Sequence, residues 1–342
     1  MKNYRLFIGN EDKKRLFNSP PLEGLGEACG GGLICIENIH KSYGTVEALK
    51  GVSLEVGKGE LFGLIGPDGA GKTTLMRILM TMLVPASGKA TMGGFDVVKD
   101  YKKIRTCVGY MPGRFSLYQD LSVEENLEFF ATVFGTTIEE NYHLIKDIYV
   151  QIEPFKKRLA GKLSGGMKQK LALSCALIHK PEILILDEPT TGVDAVSRKE
   201  FWEMLKKLQQ HEITILVSTP YMDEANLCDR VALMQNGQIL DVDSPRRITE
   251  KFSRKLLAVR STNMHHLIHD VRAFKKTETA FAFGQFLHVT SVDDDMEAIE
   301  LENYLYSKKH EQIQVFEIEP TIEDVFMDLM RDKVTVNSRS VQ

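Results

Sequence analysis

The sequence has no long hydrophobic run. None of the apolar stretches in its 342 residues approaches the roughly 18 consecutive apolar residues that a membrane-spanning helix needs. The N-terminus also lacks the pattern of a signal peptide, because its short apolar patch leads directly into Glu11-Asp12-Lys13-Lys14-Arg15. We therefore expect a cytoplasmic protein that serves any membrane process as a peripheral partner, at the cytoplasmic face.

Charge of one sign and patterned cysteine are also lacking. The formal net charge of −4 gives no support for a broad surface that binds nucleic acid or anionic lipid. The cysteines do not have the spacing of metal ligands. Two of them lie inside apolar runs, which predicts reduced core thiols, as in the cytosol. The five are Cys29, Cys35, Cys107, Cys175 and Cys228, with Cys35 and Cys175 in the apolar runs.

Short apolar runs alternate with amphipathic helical stretches from about residue 33 to 245. This alternation predicts an α/β domain with a mainly parallel sheet. Within it, residues 112–178 have helical patterning and few strands, which predicts a helical subdomain inserted into the core. Residues 1–32 contain proline and a glycine-rich stretch without periodicity. We predict that they are disordered, and the true start codon is left open.

A smaller domain is predicted after Ser244-Pro245. Strand and helix patterns alternate there, which predicts an α+β domain over residues 246–332 and a polar tail over 333–342. No catalytic constellation is evident in it, and we expect it to stabilise a dimer or to screen the nucleotide site. Three nearby histidines include an i, i+4 pair, the spacing of metal ligands on a helix, but no third ligand is evident. We interpret these three as solvated surface groups: His265, His266 and His269.

The most informative segment is a glycine-rich run between the apolar stretch Leu61–Ile65 and a helix-like one. Strand, glycine loop and helix in this order predict a phosphate-binding loop, whose backbone N–H groups surround an anion. Lys72 then reaches the outer phosphates and the Thr73 hydroxyl ligates Mg²⁺. A glycine turn beside an ordinary lysine is the poorer explanation, so we predict that the chain binds a nucleoside triphosphate. The loop consists of Gly66, Pro67, Asp68, Gly69, Ala70, Gly71, Lys72, Thr73 and Thr74.

A second apolar run, residues 183–186, ends in the two carboxylates Asp187 and Glu188. Beside a phosphate-binding loop, Asp187 can hold the water shell of Mg²⁺, and Glu188 can accept a proton from the attacking water as general base. Taken alone, the pattern fits equally well a strand that leaves the core for solvent. In the company of the phosphate loop, it indicates a hydrolytic site.

A third block places Ser164, Gly165 and Gly166 immediately before a predicted helix. Ser164 suits the N-cap position, so simple helix capping is one interpretation. The other is a second phosphate-binding helix N-terminus, presented to a nucleotide that another molecule holds. The two interpretations are compatible.

These blocks together resemble an ATP-binding cassette (ABC) ATPase. The phosphate loop, the Ser164 block, Asp187-Glu188 and the following Gly192-Val193-Asp194 occur in the order and approximate spacing of that family. The resemblance covers about residues 33–245. It implies a P-loop ABC ATPase core with a helical subdomain, and ATP with Mg²⁺ as ligands. Residues 319–326 are similar to the C-terminal extension of ATPases that serve drug, lipid or natural-product exporters.

The resemblance also implies partners. In such ATPases two subunits enclose two nucleotides, so Ser164 and its two glycines contact the γ-phosphate of ATP in the partner subunit, and Asp194 lies at the interface. Hydrolysis opens the dimer and drives separate membrane-embedded transporter subunits, which dock a cytoplasmic helix at residues 117–127. Tyr43 stacks on the adenine, the alternative being an exposed turn tyrosine.

The chain departs from the family at two positions that matter for hydrolysis. After Tyr110-Met111-Pro112, where the family usually has Gln, it has Gly113. After the strand at 213–219, where the family usually has His, it has Pro220, which offers no backbone donor either. Losing one positioned donor typically costs on the order of 10²–10³ in rate. We therefore expect good ATP binding and slow hydrolysis, with Asp68 in place of the usual Asn as a milder departure.

The intact Ser164 block and Asp194 predict a heterodimer, in which this chain completes the competent site of a second ABC ATPase. A homodimer with two slow sites that use Glu188 alone is the alternative. Two other functions stay open. One is a regulatory nucleotide-binding subunit without significant turnover. The other is a soluble ABC protein that acts on ribosomes or DNA, although the single uninterrupted cassette and the acidic balance argue against that and against nucleic acid as a partner.

Overall fold

A computed structural model describes residues 32–292 and 296–339, with the side chains of 332–339 left aside. The chain divides into two units between Ser244 and Pro245. Residues 1–31, for which we predict disorder, lie outside the described residues. Among the helices that are described, none is long and apolar enough to cross a membrane.

The first unit is built on a 6-stranded sheet in the order β10-β9-β3-β8-β7-β6. All neighbouring strands from β9 to β6 run parallel, and only β10 joins antiparallel, as a hairpin with β9. The strands at its centre are buried on both faces, which explains their continuous apolar sequence. These strands are β3 (Leu61–Ile65), β6 (Val108–Met111), β7 (Ile183–Asp187), β8 (Thr214–Thr219), β9 (Arg230–Gln235) and β10 (Gln238–Asp243).

A 4-stranded sheet in the order β2-β1-β4-β5 is antiparallel throughout. It consists of β1 (Ile34–Tyr43), β2 (Val46–Val56), β4 (Ser87–Met92) and β5 (Phe95–Asp96). From the sequence, we predict one mainly parallel sheet in this region. That prediction misses the second, antiparallel sheet. Its strands are half-buried and broken by register shifts, so they lack the long apolar runs by which the central strands are recognised.

Helices fill the segment between β6 and β7. Ser122 and Thr137 each form a complete capping box, with Glu125 and Glu140 as the reciprocal partners, which fixes where the first two helices of the segment begin. The helices of the first unit are α1 (Lys72–Leu79), α2 (Tyr101–Cys107), α3 (Val123–Val133), α4 (Ile138–Tyr149), α5 (Gly165–Leu177) and α6 (Ala195–Gln210), with short 3-10 turns at Glu153–Phe155, Ala160–Lys162 and Met222–Leu227.

The second unit contains an antiparallel sheet in the order β12-β13-β11-β14. Its elements follow the order strand, helix, two strands, helix, strand, which is the split βαβ arrangement of ferredoxin-like domains. The last helix continues to Arg339, beyond residue 332, where the sequence analysis ends the domain. The elements are α7 (Pro245–Glu250), β11 (Leu256–Arg260), α8 (Met264–Ala273), β12 (Thr277–Phe283), β13 (Phe286–Ser291), α9 (Ala298–Ser307), β14 (Gln314–Glu317) and α10 (Ile322–Arg339).

The three histidines of α8 are exposed, with the His265 and His269 ring centroids 5.1 Å apart. Nowhere in the described ranges do three or more His, Cys, Asp or Glu side chains form a group that could hold a metal ion. Cys175 and Cys228 are buried free thiols, Cys35 is buried as well, and burial raises the pKa of Cys175 well above its usual range. Cys29 lies outside the described residues.

A buried carboxylate ties α10 to the sheet of the second unit. His288 Nδ1 lies 2.7 Å from Asp324 Oδ1, while the backbone N–H and the hydroxyl of Thr321 donate to Asp324 Oδ2 at 2.8 and 2.7 Å. Burial by itself raises the pKa of Asp324, but the hydrogen bonds from His288 and Thr321 outweigh it and hold the pKa below its usual range.

We expect Asp324→Asn to destabilise the protein at pH 7 by about 1–3 kcal/mol, because it weakens charge-assisted hydrogen bonds in a buried site. A folded-state pKa below the unfolded value of about 3.9 means that this stability is present above that pH and is lost as pH falls through the folded value. The free energies of unfolding of the two proteins, measured with urea, should therefore converge in acid. The exposed Asp147→Asn is the control, and a gap that does not narrow as the pH falls would contradict the assignment.

Candidate functional site

The glycine loop joins β3 to α1 at the carboxyl edge of the sheet. Gly71 occupies the N-cap position of α1 with a φ of 107°, and a Cβ there would lie 2.6 Å from the carbonyl oxygen of Ala48. Only glycine meets both requirements. No side chain caps the helix, so its first N–H groups remain directed at the loop. This is the backbone geometry that binds phosphate.

Lys72 is almost fully buried at the start of α1, with 3% of its surface exposed. Its Nζ donates to the carbonyl oxygens of Gly66 and Pro67 at 2.6 and 3.0 Å and lies 3.2 Å from Glu188 Oε1. The loop therefore holds the ammonium group at its centre, and the carboxylate of Glu188 faces it. A phosphate that enters the loop competes with this carboxylate for the same charge.

Asp187 is buried at the end of β7 beside the start of α1. Its Oδ1 accepts hydrogen bonds from the hydroxyls of Thr73, at 3.1 Å, and Ser218, at 2.8 Å. Tyr110 lies in the adjacent strand. Burial, and to a lesser extent the negative charge of Asp187, raises the pKa of Tyr110 to about 12. A hydroxyl and a carboxylate oxygen side by side match the hard oxygen ligands that Mg²⁺ prefers, and such sites draw their other ligands from phosphates and water.

Glu188 follows directly, in a left-handed backbone conformation with a φ of 50°. This conformation is strained for a residue with a side chain. Ser218 holds it, since the Glu188 N–H lies 3.0 Å from Ser218 Oγ and 3.1 Å from Ser218 O. Sequence reasoning missed Ser218, although Ser218-Thr219 at the end of an otherwise apolar strand is a signal that could have identified it.

A cavity of about 240 Å³ lies over the loop. Tyr43 at the end of β1 is 47% exposed and forms one wall, and Glu188 forms another. The structure thus brings the predicted adenine-stacking residue, the loop and the predicted general base around one space. The cavity is lined by Tyr43, Ala48, Gly69, Ala70, Gly71, Lys72, Thr73, Thr74 and Glu188.

Ser164, Gly165, Gly166 and Asp194 form a separate cluster that does not line this cavity. Ser164 Oγ caps α5 by accepting from Met167 N at 3.3 Å, and Asp194 caps α6 by accepting from Ser197 N at 3.0 Å. The backbone hydrogen bond from Ser197 holds the pKa of Asp194 below its usual range.

Gly166 and Ser197 join these two helix starts. A Cβ at Gly166 would lie 2.6 Å from Ser197 Oγ, so the two helix N-termini pack closely. The exposed Ser164, Gly165 and Asp194 therefore stand together on one surface.

The two departures from the family lie at the site. A Cβ at Gly113 would be 2.9 Å from the carbonyl oxygen of Asp187 and 3.8 Å from Glu188 Cβ. Pro220 directly follows β8, next to Thr219, which pairs with the loop strand β3. Asp68 is exposed and is not among the residues that line the cavity. Position 113 therefore borders the base, with no side chain to offer.

Known proteins resemble the chain over this region. A family model described as "ABC transporter" matches residues 49–191. The Nod factor export ATP-binding protein I of Rhizobium sp. (strain N33) is 33% identical over 301 residues, which cover 86% of this chain and 96% of that protein. The chain belongs to the ATP-binding proteins of ABC transporters. The family and the fold expected from the motifs are confirmed.

Two further similarities add to the family assignment. The probable multidrug ABC transporter ATP-binding protein YbhF of Escherichia coli (strain K12) is 39% identical over 280 residues, 80% of this chain and 47% of YbhF, so this ABC protein spans about half of that relative. A solved dimer of the ATP-binding cassette MJ0796 in a post-hydrolysis state, bound to ADP and Pi, matches with a TM-score of 0.56 and 25% identity, over 62% of this chain and 98% of that one.

We expect Glu188→Gln to raise the affinity for Mg-ADP roughly tenfold, because it weakens a charge-assisted contact with the buried Lys72, worth about 1.5 kcal/mol, that a phosphate must displace. ADP is the appropriate ligand, since trapping of unhydrolysed ATP cannot contribute. Calorimetric titration measures the affinity. Glu182→Gln, at the opposite end of β7, is the matched control, and an unchanged or lower ADP affinity in Glu188→Gln would show that the pair does not oppose binding.

Proposed function

We propose that this chain is the ATP-binding subunit of an exporter of drugs or natural products, and that it binds ATP with Mg²⁺ and hydrolyses it slowly. The observation that carries the proposal is the convergence of Lys72, Thr73, Asp187 and Glu188 at one end of the sheet, beside the cavity that Tyr43 borders and that Lys72, Thr73 and Glu188 line. The direction of transport rests on relatives named for multidrug transport and Nod factor export.

The residues of the site have separable roles in this proposal. The triphosphate takes the place of the Glu188 carboxylate beside Lys72, so the lysine passes from one anion to another as ATP enters. Glu188 is then free to accept a proton from the attacking water. Thr73 and Asp187 would hold Mg²⁺, which when bound neutralises charge on the phosphates. Ser218 keeps Asp187 and the Glu188 backbone in place throughout.

The site of one chain lacks a wall that a second cassette would supply. Ser164, Gly165 and Asp194 are exposed together on a surface of their own. These features support a dimer in which each cassette presents this surface to the nucleotide of the other. The related cassette MJ0796 is named as a dimer bound to ADP and Pi.

The partner in that dimer is, in our proposal, a different ABC ATPase. Gly113 and Pro220 leave the site of this chain without two donors that the family usually directs at the water and the γ-phosphate. The Ser164 surface has no such defect. A chain of this kind contributes most when its intact surface completes the site of a competent partner.

In our proposal, membrane-embedded subunits receive the motion by which the dimer opens on hydrolysis. A groove of about 460 Å³ lies between the helical segment and the sheet, near the predicted docking segment 117–127. Leu117, Phe130 and Phe134 give it apolar walls, and Arg77 and Arg105 also line it. An amphipathic cytoplasmic helix with an acidic residue fits such a groove.

We expect Pro220→His to raise steady-state ATP hydrolysis by the purified chain roughly tenfold or more, since it restores one positioned donor. Pro220→Ala is the matched control, because it restores a backbone N–H without an imidazole. Gly113→Gln should add little, since its Cβ meets the Asp187 carbonyl oxygen at 2.9 Å. Fast hydrolysis by the unmodified chain would refute the slow site and the need for a competent partner. No hydrolysis even by Pro220→His would favour a regulatory nucleotide-binding subunit.

If the loop of one subunit and the Ser164 surface of another form each site, a second prediction follows. It is best tested in the Pro220→His background. Lys72→Ala removes the loop lysine and Ser164→Arg blocks the opposing surface, so neither variant should hydrolyse ATP alone. Mixed, one of each forms a composite site with an intact loop and an intact surface, and we expect activity to reappear at about a quarter of the unmodified level. A mixture that stays inactive would contradict the sharing of sites between copies of this chain.

A further inference from the structure

Glu224 is a buried carboxylate that the proposed chemistry does not use. Only 2% of its surface is exposed, and it lies in the 3-10 turn Met222–Leu227, after the end of β8. Burying a carboxylate is costly unless charge and hydrogen bonds compensate. The partners of Glu224 therefore show which parts of the chain it holds together.

Two threonine hydroxyls donate to the same oxygen of Glu224. Thr190 Oγ1 lies 3.1 Å from Glu224 Oε2, and Thr219 Oγ1 lies 2.5 Å from it. Thr219 Oγ1 in turn accepts from the N–H of Tyr221 at 3.1 Å, which fixes the turn around Pro220. Both threonines are buried, so neither hydroxyl has water as a ready alternative.

Arg198 of α6 approaches the other oxygen. Its Nε lies 3.7 Å from Glu224 Oε1, its Nη2 donates to Asp223 at 3.2 Å, and its guanidinium lies 4.4 Å from the centre of the Tyr221 ring. One carboxylate thus contacts three segments: the loop after β7, the first turn of α6 and the end of β8.

The loop after β7 is the one that carries the proposed chemistry. Thr190 is two residues from Glu188. Local backbone hydrogen bonds run from Thr191 N to Glu188 O and from Val193 N to Thr190 O, both at 3.2 Å. Asp194, the cap of α6, ends this loop. A tether on Thr190 therefore acts on the general base at one end and on the proposed dimer surface at the other.

We propose that Glu224 is a positioning residue, which ties the loop from Glu188 to Asp194 to the end of β8 at Pro220. The inference rests on the proposed hydrolytic role of Glu188. The post-β8 segment lacks the family's usual histidine, and this carboxylate connects it to the loop that carries the base. A change in the position of the Glu188 loop is transmitted through Thr190, Glu224 and Thr219, without a histidine at position 220.

Hydrogen exchange on the nucleotide-free chain tests the tether without reference to turnover. In Glu224→Gln and in Thr219→Val, we expect the amides of Thr191 and Val193 to exchange roughly tenfold faster, as the loss of a hydrogen bond of about 1.4 kcal/mol predicts. Thr219→Ser keeps the hydroxyl and should exchange at the original rate. Thr214→Val is the matched control, because Thr214 is equally buried at the other end of β8 and accepts from Gly59 N at 2.8 Å.

Kinetics then separates positioning from loss of stability. In the Pro220→His background, Glu224→Gln should lower kcat roughly tenfold and leave KM for ATP within twofold, since the phosphate loop is untouched. Unchanged exchange at Thr191 and Val193, or equal acceleration by Thr214→Val, would overturn the proposal. Accelerated exchange in a chain that never hydrolyses ATP would uphold the tether and refute the proposed function instead.

Discussion

The site depends on one constraint, the parallel alignment of β3, β7 and β8. Parallel neighbours end at the same edge of a sheet, so the glycine loop, the Asp187-Glu188 pair and the Ser218-Thr219 pair meet there although they are far apart in sequence. The hydroxyls of Thr73 and Ser218 then close the edge by donating to the same oxygen of Asp187. Without that shared edge, the motifs would be unconnected fragments.

Close packing between two helices builds a second surface. The starts of α5 and α6 touch through Gly166 and Ser197, which groups Ser164 with Asp194 on a surface apart from the loop. The architecture therefore separates the residues that hold a nucleotide from those that would enclose it. A protein divided in this way would gain a function from association, since in the proposed dimer the two sets meet between chains.

The sequence was sufficient for the parts that have a distinctive chemical pattern. The glycine loop, the double carboxylate and the Ser164 helix start have unusual residue types at fixed spacing, so their roles could be predicted from the chain alone. The antiparallel sheet could not, because half-buried strands with register shifts have no clear periodicity. Ser218, Thr190 and Glu224 also escaped prediction, since serine, threonine and glutamate are common. Their importance comes from burial and from partners distant in sequence.

A side chain at position 113 would be difficult to restore. With no Cβ, the backbone after β6 lies so near the end of β7 that any other residue must displace the Asp187 carbonyl. The main chain at the end of β7 occupies the space that a Cβ at position 113 would need. A glutamine at position 113 therefore requires a second adjustment that moves the two strand ends apart. In the proposed heterodimer, this coupled requirement would make dependence on a competent partner difficult to undo.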